Sequence, residues 1–207
     1  MAPSNLVYTM IGASLLWVGW FGFNAGSAVA SNALAGAAMM NTQVATAAAA
    51  LSWMAVEWFE RKKPGMLGLA SGAVAGLVAI TPASGYVNPQ GALIIGILAG
   101  AGCYAGAVWI KKMFKYDDSL DAFGVHGIGG IIGALLTGLL ADPAINPLGV
   151  HHSIGTQAVG VLATLVWSGV GTFVILMICK YTVGLRVSEE GEVEGLDAAL
   201  HGEALHE

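Results

Sequence analysis

The sequence predicts an all-α, polytopic membrane helix bundle with six transmembrane helices, and three observations carry that prediction. The first is composition: of 207 residues, 56% are hydrophobic and only 10% charged, with a mean hydropathy of +0.72. A soluble domain usually carries about a quarter of its residues as charged ones, so this surface faces something other than water. The second is that the apolar stretches are long and continuous rather than alternating, which is a helical pattern. Each is close to the roughly 20 residues that span a bilayer, where backbone polar groups must be paired internally. The third is the one-sided placement of the basic residues along these stretches.

The six spans are read at 6–29, 37–59, 66–82, 90–110, 119–141 and 155–180. The third is the shortest and ends at Pro82. Loops are marked by Arg61-Lys62-Lys63-Pro64-Gly65, by Pro82-Ala83-Ser84-Gly85, by Lys115-Tyr116-Asp117-Asp118, and by the stretch from Asp142 to His152 with Pro143 and Pro147. The organisation expected is a membrane domain over 1–181 and a cytoplasmic tail over 182–207. No cleavable signal peptide is expected, because the first apolar segment is too long and has no basic region before it.

All eight basic residues test this map: Arg61, Lys62, Lys63, Lys111, Lys112, Lys115, Lys180 and Arg186. With six spans every one falls on the same side of the membrane, together with both termini. The connections around 30–36, 83–89 and 142–154 contain no Lys or Arg. Basic residues mark the cytoplasmic side, and a wrong number of spans would have scattered them.

Glycine is the remaining compositional signal. Thirty glycines would be costly in soluble helices, but in membranes small residues let helix backbones approach. The fifth span carries Gly129 and Gly133, and Gly130, Ala134 and Gly138, at four-residue spacing. It is therefore expected deep in the bundle, and the first span, with Gly12, Gly19, Gly22 and Gly26, shows the same habit.

The net charge of −5 describes mostly the tail, where much of the acid follows Gly184. Polar and Gly-rich from Thr182 onward, the tail is expected to be flexible or docked on a partner. Cys103 and Cys179 match no metal or redox spacing and read as small packing residues. Nothing points to a phosphate-binding loop, a nucleophile–base constellation, a nucleic-acid partner, a metal or a bound cofactor. His151-His152 alone is too little for a metal site.

Polar residues inside spans are expensive and mark candidate sites. Trp20, Phe23 and Ser27 recur at three and then four residues, forming one helix stripe. An aromatic face holds a small cation, and a hydroxyl accepts its hydrogen bond. The same stripe also fits an interfacial Trp anchor with Phe and Ser packing between helices. His126, alone among the histidines in sitting within an apolar segment, lies about 10 Å past the start of the fifth span at 1.5 Å per residue. A neutral imidazole both donates and accepts, which suits a proton relay or the guidance of a small polar molecule. A hydrogen bond to a neighbouring helix explains it equally well. Asp118 and Asp121 are expected to cap the fifth helix. Glu57 and Arg61 are expected to form an i,i+4 surface pair.

Four segments then resemble one family: Gly19-Trp-Phe-Gly-Phe-Asn-Ala-Gly-Ser27, Thr81-Pro-Ala-Ser-Gly-Tyr86, Asp121-Ala-Phe-Gly-Val-His-Gly127 and Gly184-Leu-Arg-Val187. They look like signatures of the ammonium transporter (Amt/Rh) family, and Glu194-Gly-Leu-Asp197 with His201-Gly-Glu203 fits its cytoplasmic end. The resemblance covers essentially the whole chain, and is closer to the microbial and plant branch than to the Rhesus branch. It implies a homotrimer of eleven-helix subunits built as two inverted repeats plus a last helix. This chain matches the second repeat, the last helix and the tail.

By that resemblance Phe23 is one of two stacked gate phenylalanines, Ser27 is the hydroxyl of an external ammonium site, and His126 is one of a pair of pore histidines. Trp20 belongs to the same motif. The implied function is ammonium recruitment at an outer aromatic and hydroxyl site, with ammonia conducted past a pore histidine, in a multi-pass protein of the plasma membrane. The partner histidine and second gate phenylalanine belong to the first repeat, so this chain carries half a pore lining. The alternatives are a non-transporting fragment, or a regulatory membrane protein whose tail docks a PII-type nitrogen-signalling partner.

Overall fold

The computed structural model describes Pro3 and residues 5–203 of the chain. Among the described residues it is helical throughout, without a strand; one isolated bridge joins Val87 to Ala141. Six long helices fall close to the expected spans: α1 (Leu6–Asn24, with a tight 3₁₀ extension Gly26–Ala28), α2 (Ala33–Arg61), α3 (Met66–Ile80), α4 (Pro89–Phe114), α5 (Phe123–Leu140) and α6 (Ile154–Thr182).

Their starts are written in side chains. Asn5, Asn32 and Asn88 each accept a hydrogen bond from a first-turn N–H, of Tyr8, Ala35 and Gly91 respectively. Asn88 is followed by Pro89, whose missing N–H costs nothing at that position. At the other ends, Lys62 and Lys115 turn left-handed and close α2 and α4.

Four of the helices, α1, α4, α5 and α6, are long and apolar enough to cross a bilayer on their own. The other two depart from that standard for physical reasons. Helix α2 is long enough but carries buried Asn41, Thr42, Thr46 and Glu57. Helix α3 has 15 residues, roughly 22 Å at 1.5 Å per residue, and ends at Ile80 rather than at Pro82. It can be short because its neighbours cover it: α3 packs on α1, α2, α4 and α5, and Ala75, Leu77, Ala79 and Ile80 are fully buried.

Small residues set the spacing at the centre. The stripe Ala45 and Ala49 on α2 lies between glycines of α3 and α4. A Cβ at Gly76 would sit 2.7 Å from the Ala45 carbonyl oxygen, and one at Gly96 would overlap the same atom from the other side. Backbone contact of this kind substitutes for the hydrophobic push that lipid cannot supply. The expectation for α5 holds where Gly129 meets Cys103 and Val78, and where Gly133 meets Ala79. Gly130, however, faces open space, as do Gly12, Gly19, Gly22 and Gly26 of α1. The glycine pattern of α1 does not mark a packed seam among the described residues.

The helix ends gather in two places. Near one end of this bundle a groove is lined by Leu6, Arg61, Met66 and Asp121, bringing together the start of α1, the end of α2 and the starts of α3 and α5. At the opposite ends, Asn41 donates to the carbonyls of Ser84 and Val87, and Asn88 donates to Asp142. Arg61 therefore lies at the end away from the lysine-free connections.

The chain divides into two compact units, the first ending at Val161 and the second beginning at Leu162, inside α6. In the second unit a short helix, α7 (Glu189–Glu194), is capped by Ser188 and tied by Arg186, which donates from Nε and Nη2 to the two carboxylate oxygens of Glu192 at 2.7 and 2.6 Å. A helical turn, Asp197–His201, follows it. His206 lies outside the described residues.

Candidate functional site

The stripe of α1 is only partly what the spacing implied. Trp20 is half-buried: its Nε1 donates to Thr81 Oγ1 at 2.8 Å, and its ring packs against the buried cluster that includes Trp53 and Val125. This is a tertiary bond within the bundle, not an interfacial anchor. Phe23 stands edge-on to Trp20 with ring centroids 5.6 Å apart, yet is 61% exposed. Just beyond, α1 gives way to its 3₁₀ turn, and Val29 at φ +48° stops it. Ser27 sits exposed on that turn, its hydroxyl donating to the Phe23 carbonyl at 2.5 Å. With its proton so committed, the Ser27 oxygen keeps lone pairs for an incoming donor.

Between Phe23 and this turn, Asn24 is buried and donates to Thr42 Oγ1 at 3.0 Å; Thr42 in turn donates to the Ala38 carbonyl. The pair fixes the end of α1 to α2. Neither residue was singled out from sequence, although Thr42 and Thr46, polar and four apart within a long span, are the signal that could have found them.

His126 lies elsewhere on the same side of α1. It borders a groove of about 600 Å³ with Gly12 and Leu16 of α1, Ser71 and Val74 of α3, and Val125. The groove runs along residues 9–16 of α1, so Phe23 stands roughly 10–21 Å further along that helix. The structure does not bring Phe23 or Ser27 into contact with His126. It places them in sequence along one side, with Trp20 between. His126 itself is exposed.

The setting of His126 differs from a plain helix. The first turn of α5, Phe123–Gly127, is a π turn, and the facing stretch Ala105–Ile110 of α4 is π-helical as well. The two meet where a Cβ at Gly124 would fall 2.7 Å from the Ala107 Cα. Helix α5 begins later than the span read from sequence, so His126 belongs to this wide first turn rather than lying seven residues in. Such turns are single-residue insertions, common at functional positions.

The acidic residues divide their roles. Asp118 is the cap of α5, its carboxylate accepting from Ala122 N and Phe123 N at 2.8 and 3.0 Å. Asp121 is not a cap: it has φ +54° and pairs with Lys111 Nζ at 2.7 Å. Glu57 and Arg61 do pair, at 2.8 Å, but Glu57 is 4% exposed and also accepts from Gly65 N. It is a buried clamp on the α2–α3 turn, tying the end of α2 to the first residue before α3. Cys103 is buried and packs against Gly129, in keeping with a small packing residue.

Comparison with known proteins gives a single answer. The family model described as Ammonium Transporter Family matches residues 1–205. The ammonium transporter of Aquifex aeolicus is 50% identical across 100% of this chain and 50% of its own length. That of Bacillus subtilis is 48% identical across 100% of this chain and 53% of its own. Among solved structures, Saccharomyces cerevisiae Mep2 superposes with a TM-score of 0.85 at 35% identity, over 91% of this chain and 45% of that one. A sensor Amt protein gives 0.87 at 36%, over 95% and 49%. The chain spans about half the length of the curated relatives it matches. It belongs to the ammonium transporter family, with the membrane helix bundle of that fold.

Proposed function

We propose that this chain supplies one wall of a transmembrane ammonium pathway. Ammonium is recruited where Phe23 and Ser27 are exposed, and ammonia passes along the groove bordered by His126. The observation that carries the reading is the exposure of Phe23, Ser27 and His126 along one side of the bundle, where Ser27 and His126 are polar intrusions into apolar spans. The open face of Phe23 suits a cation through its quadrupole, and Ser27 offers lone pairs beside it. Trp20, tied to Thr81, fixes the ring of Phe23 from behind. The imidazole of His126 can accept from and donate to a neutral ammonia or a transferred proton.

The wall facing these residues comes, in this proposal, from first-repeat residues, whether on the remainder of a longer chain or on a separate one. The proposal extends to a homotrimer in the plasma membrane with both termini cytoplasmic. Support for the orientation comes from the eight Lys and Arg residues on one side of the six spans. The two curated relatives named above are transporters by name, and no enzymatic chemistry is invoked. The test is methylammonium uptake by the completed assembly, with His126→Ala expected to impair it; unchanged flux would remove His126 from the pathway.

A second reading is regulatory: a membrane platform whose tail docks a PII-type signalling protein. It draws on α7 and its Arg186–Glu192 tie, and on the likeness to a sensor Amt protein. Capture of PII by the membrane-embedded chain would favour it, and no capture under permissive nucleotide conditions would count against it.

A further inference from the structure

Lys111 stands at the end of α4, ten residues before Asp121, and none of the roles above uses it. Its Nζ donates to the Asp121 carboxylate at 2.7 Å and, more closely still, to the Asp118 carbonyl. Those contacts bear directly on the turn that carries His126. Asp121 is held in the left-handed region at φ +54°, sparsely populated by residues other than glycine although Asp enters it more readily than most. In that conformation its carbonyl accepts from Val125 N at 2.8 Å, one residue before His126. Val125 is buried, and Gly124 beside it rests on the backbone of Ala107. The π turn Phe123–Gly127 is therefore pinned from two sides, by the Lys111 ion pair at its entrance and by the α4 backbone along its flank.

We propose that Lys111 is a positioning residue for His126: its ion pair with Asp121 holds the entrance of the π turn in the register that aims the imidazole at the groove. This rests on the pathway reading given above. A π turn differs from an α turn by one inserted residue, which corresponds to a rotation of roughly 100° about the helix axis. Without the ammonium, Asp121 leaves its left-handed conformation, Val125 loses its acceptor, and the turn is free to relax to α geometry. His126 then swings off the groove while Phe23 and Ser27, on another helix, stay in place.

The experiment uses the chain assembled with a first-repeat half, and compares wild type, Lys111→Met and Lys111→Arg by two readouts. Amide hydrogen exchange over residues 121–127 is expected to accelerate in K111M and to return to the wild-type rate in K111R. Maximal methylammonium uptake is expected to fall at least about tenfold in K111M, the scale at which misplacement of an acting group is felt. The half-saturating concentration stays unchanged, because recruitment is untouched. Should K111M fail to reach the membrane, Asp121→Asn serves instead: Asn shares the tolerance of Asp for the left-handed conformation but carries no charge to hold Lys111, so faster exchange and reduced uptake are again expected. Unchanged exchange, or faster exchange with undiminished uptake, overturns the positioning role while leaving the pathway standing. So does a loss of uptake without faster exchange. A wild-type assembly that shows no uptake overturns both.

Discussion

The indole N–H of Trp20 and the hydroxyl of Thr81 meet at 2.8 Å across 61 residues of sequence, joining the stripe of α1 to the turn that ends α3. Thr81 also donates to the Leu77 carbonyl, so one hydroxyl serves both helices. Thr81→Val keeps the shape but leaves the half-buried indole N–H without an acceptor, a loss of about 1–3 kcal/mol. Lowered thermal stability in detergent, together with a shift of tryptophan fluorescence, is the expected result; an unchanged melting curve would show that the bond does not hold α1.

Glycine contacts give a paired prediction on α5. A Cβ at Gly133 would overlap the Ala79 carbonyl oxygen, whereas one at Gly130 would meet nothing within 4 Å. Gly133→Ala should destabilise by about 1–3 kcal/mol or more, the usual cost of overpacking. Gly130→Ala should be neutral or slightly stabilising, since alanine favours helix. Thermal unfolding of both variants in the same detergent decides the matter, and equal stability would contradict the packing described.

The buried clamp predicts an asymmetry between the partners of one ion pair. The Arg61 side chain is 69% exposed and that of Glu57 only 5%. Arg61→Ala removes a screened contact worth about 0–1 kcal/mol. Glu57→Ala also strips the half-buried Gly65 N of its acceptor and should cost more, by about 1.5–3 kcal/mol for a lost hydrogen bond to a charged group. Unfolding of the two single variants measures the difference; equal losses would mean that Glu57 acts only through Arg61.

The tail should respond to acid. The Arg186 guanidinium, hydrogen-bonded to Glu192, holds that carboxyl below its ordinary value of 4.5. A depressed carboxylate pKa contributes stability above the unfolded value, and that contribution is lost as pH falls through the folded one. The tie should therefore be intact at neutral pH and weaken progressively below about pH 4.5. Glu192→Gln should remove the acid sensitivity. NMR of α7 amides across this range reads it directly, and pH-independent shifts in the wild type would contradict it.

Much of this architecture was legible because the bilayer makes polarity expensive. The runs of apolar residues and the one-sided Lys and Arg residues marked six helices whose ends agree to within about four residues, the widest differences falling at the starts of α2 and α5 and at Lys111–Phe114. What escaped depends on partners distant in sequence. Glu57 looks like a surface residue beside Arg61 until α3 closes over it. Asp121 looks like a cap until Lys111 reaches it from α4. The glycines of α1 resemble a packing seam, yet no neighbour in the described structure meets them. The π turn under His126 has no periodic signature, and it coincides with a backbone contact between Gly124 and Ala107 that the sequence does not show. Trp20, Phe23, Ser27 and His126 were visible as polar or aromatic intrusions, but their order along one side required the fold.

Whether this chain is one wall of an ammonium pathway can be read from methylammonium uptake. Cells lacking their own ammonium transporters would express the chain with and without a co-expressed first-repeat half. Flux is expected only when both halves are present. Flux from this chain alone would contradict the half-pore account, and absence of flux from the verified two-part assembly would contradict the transport reading itself.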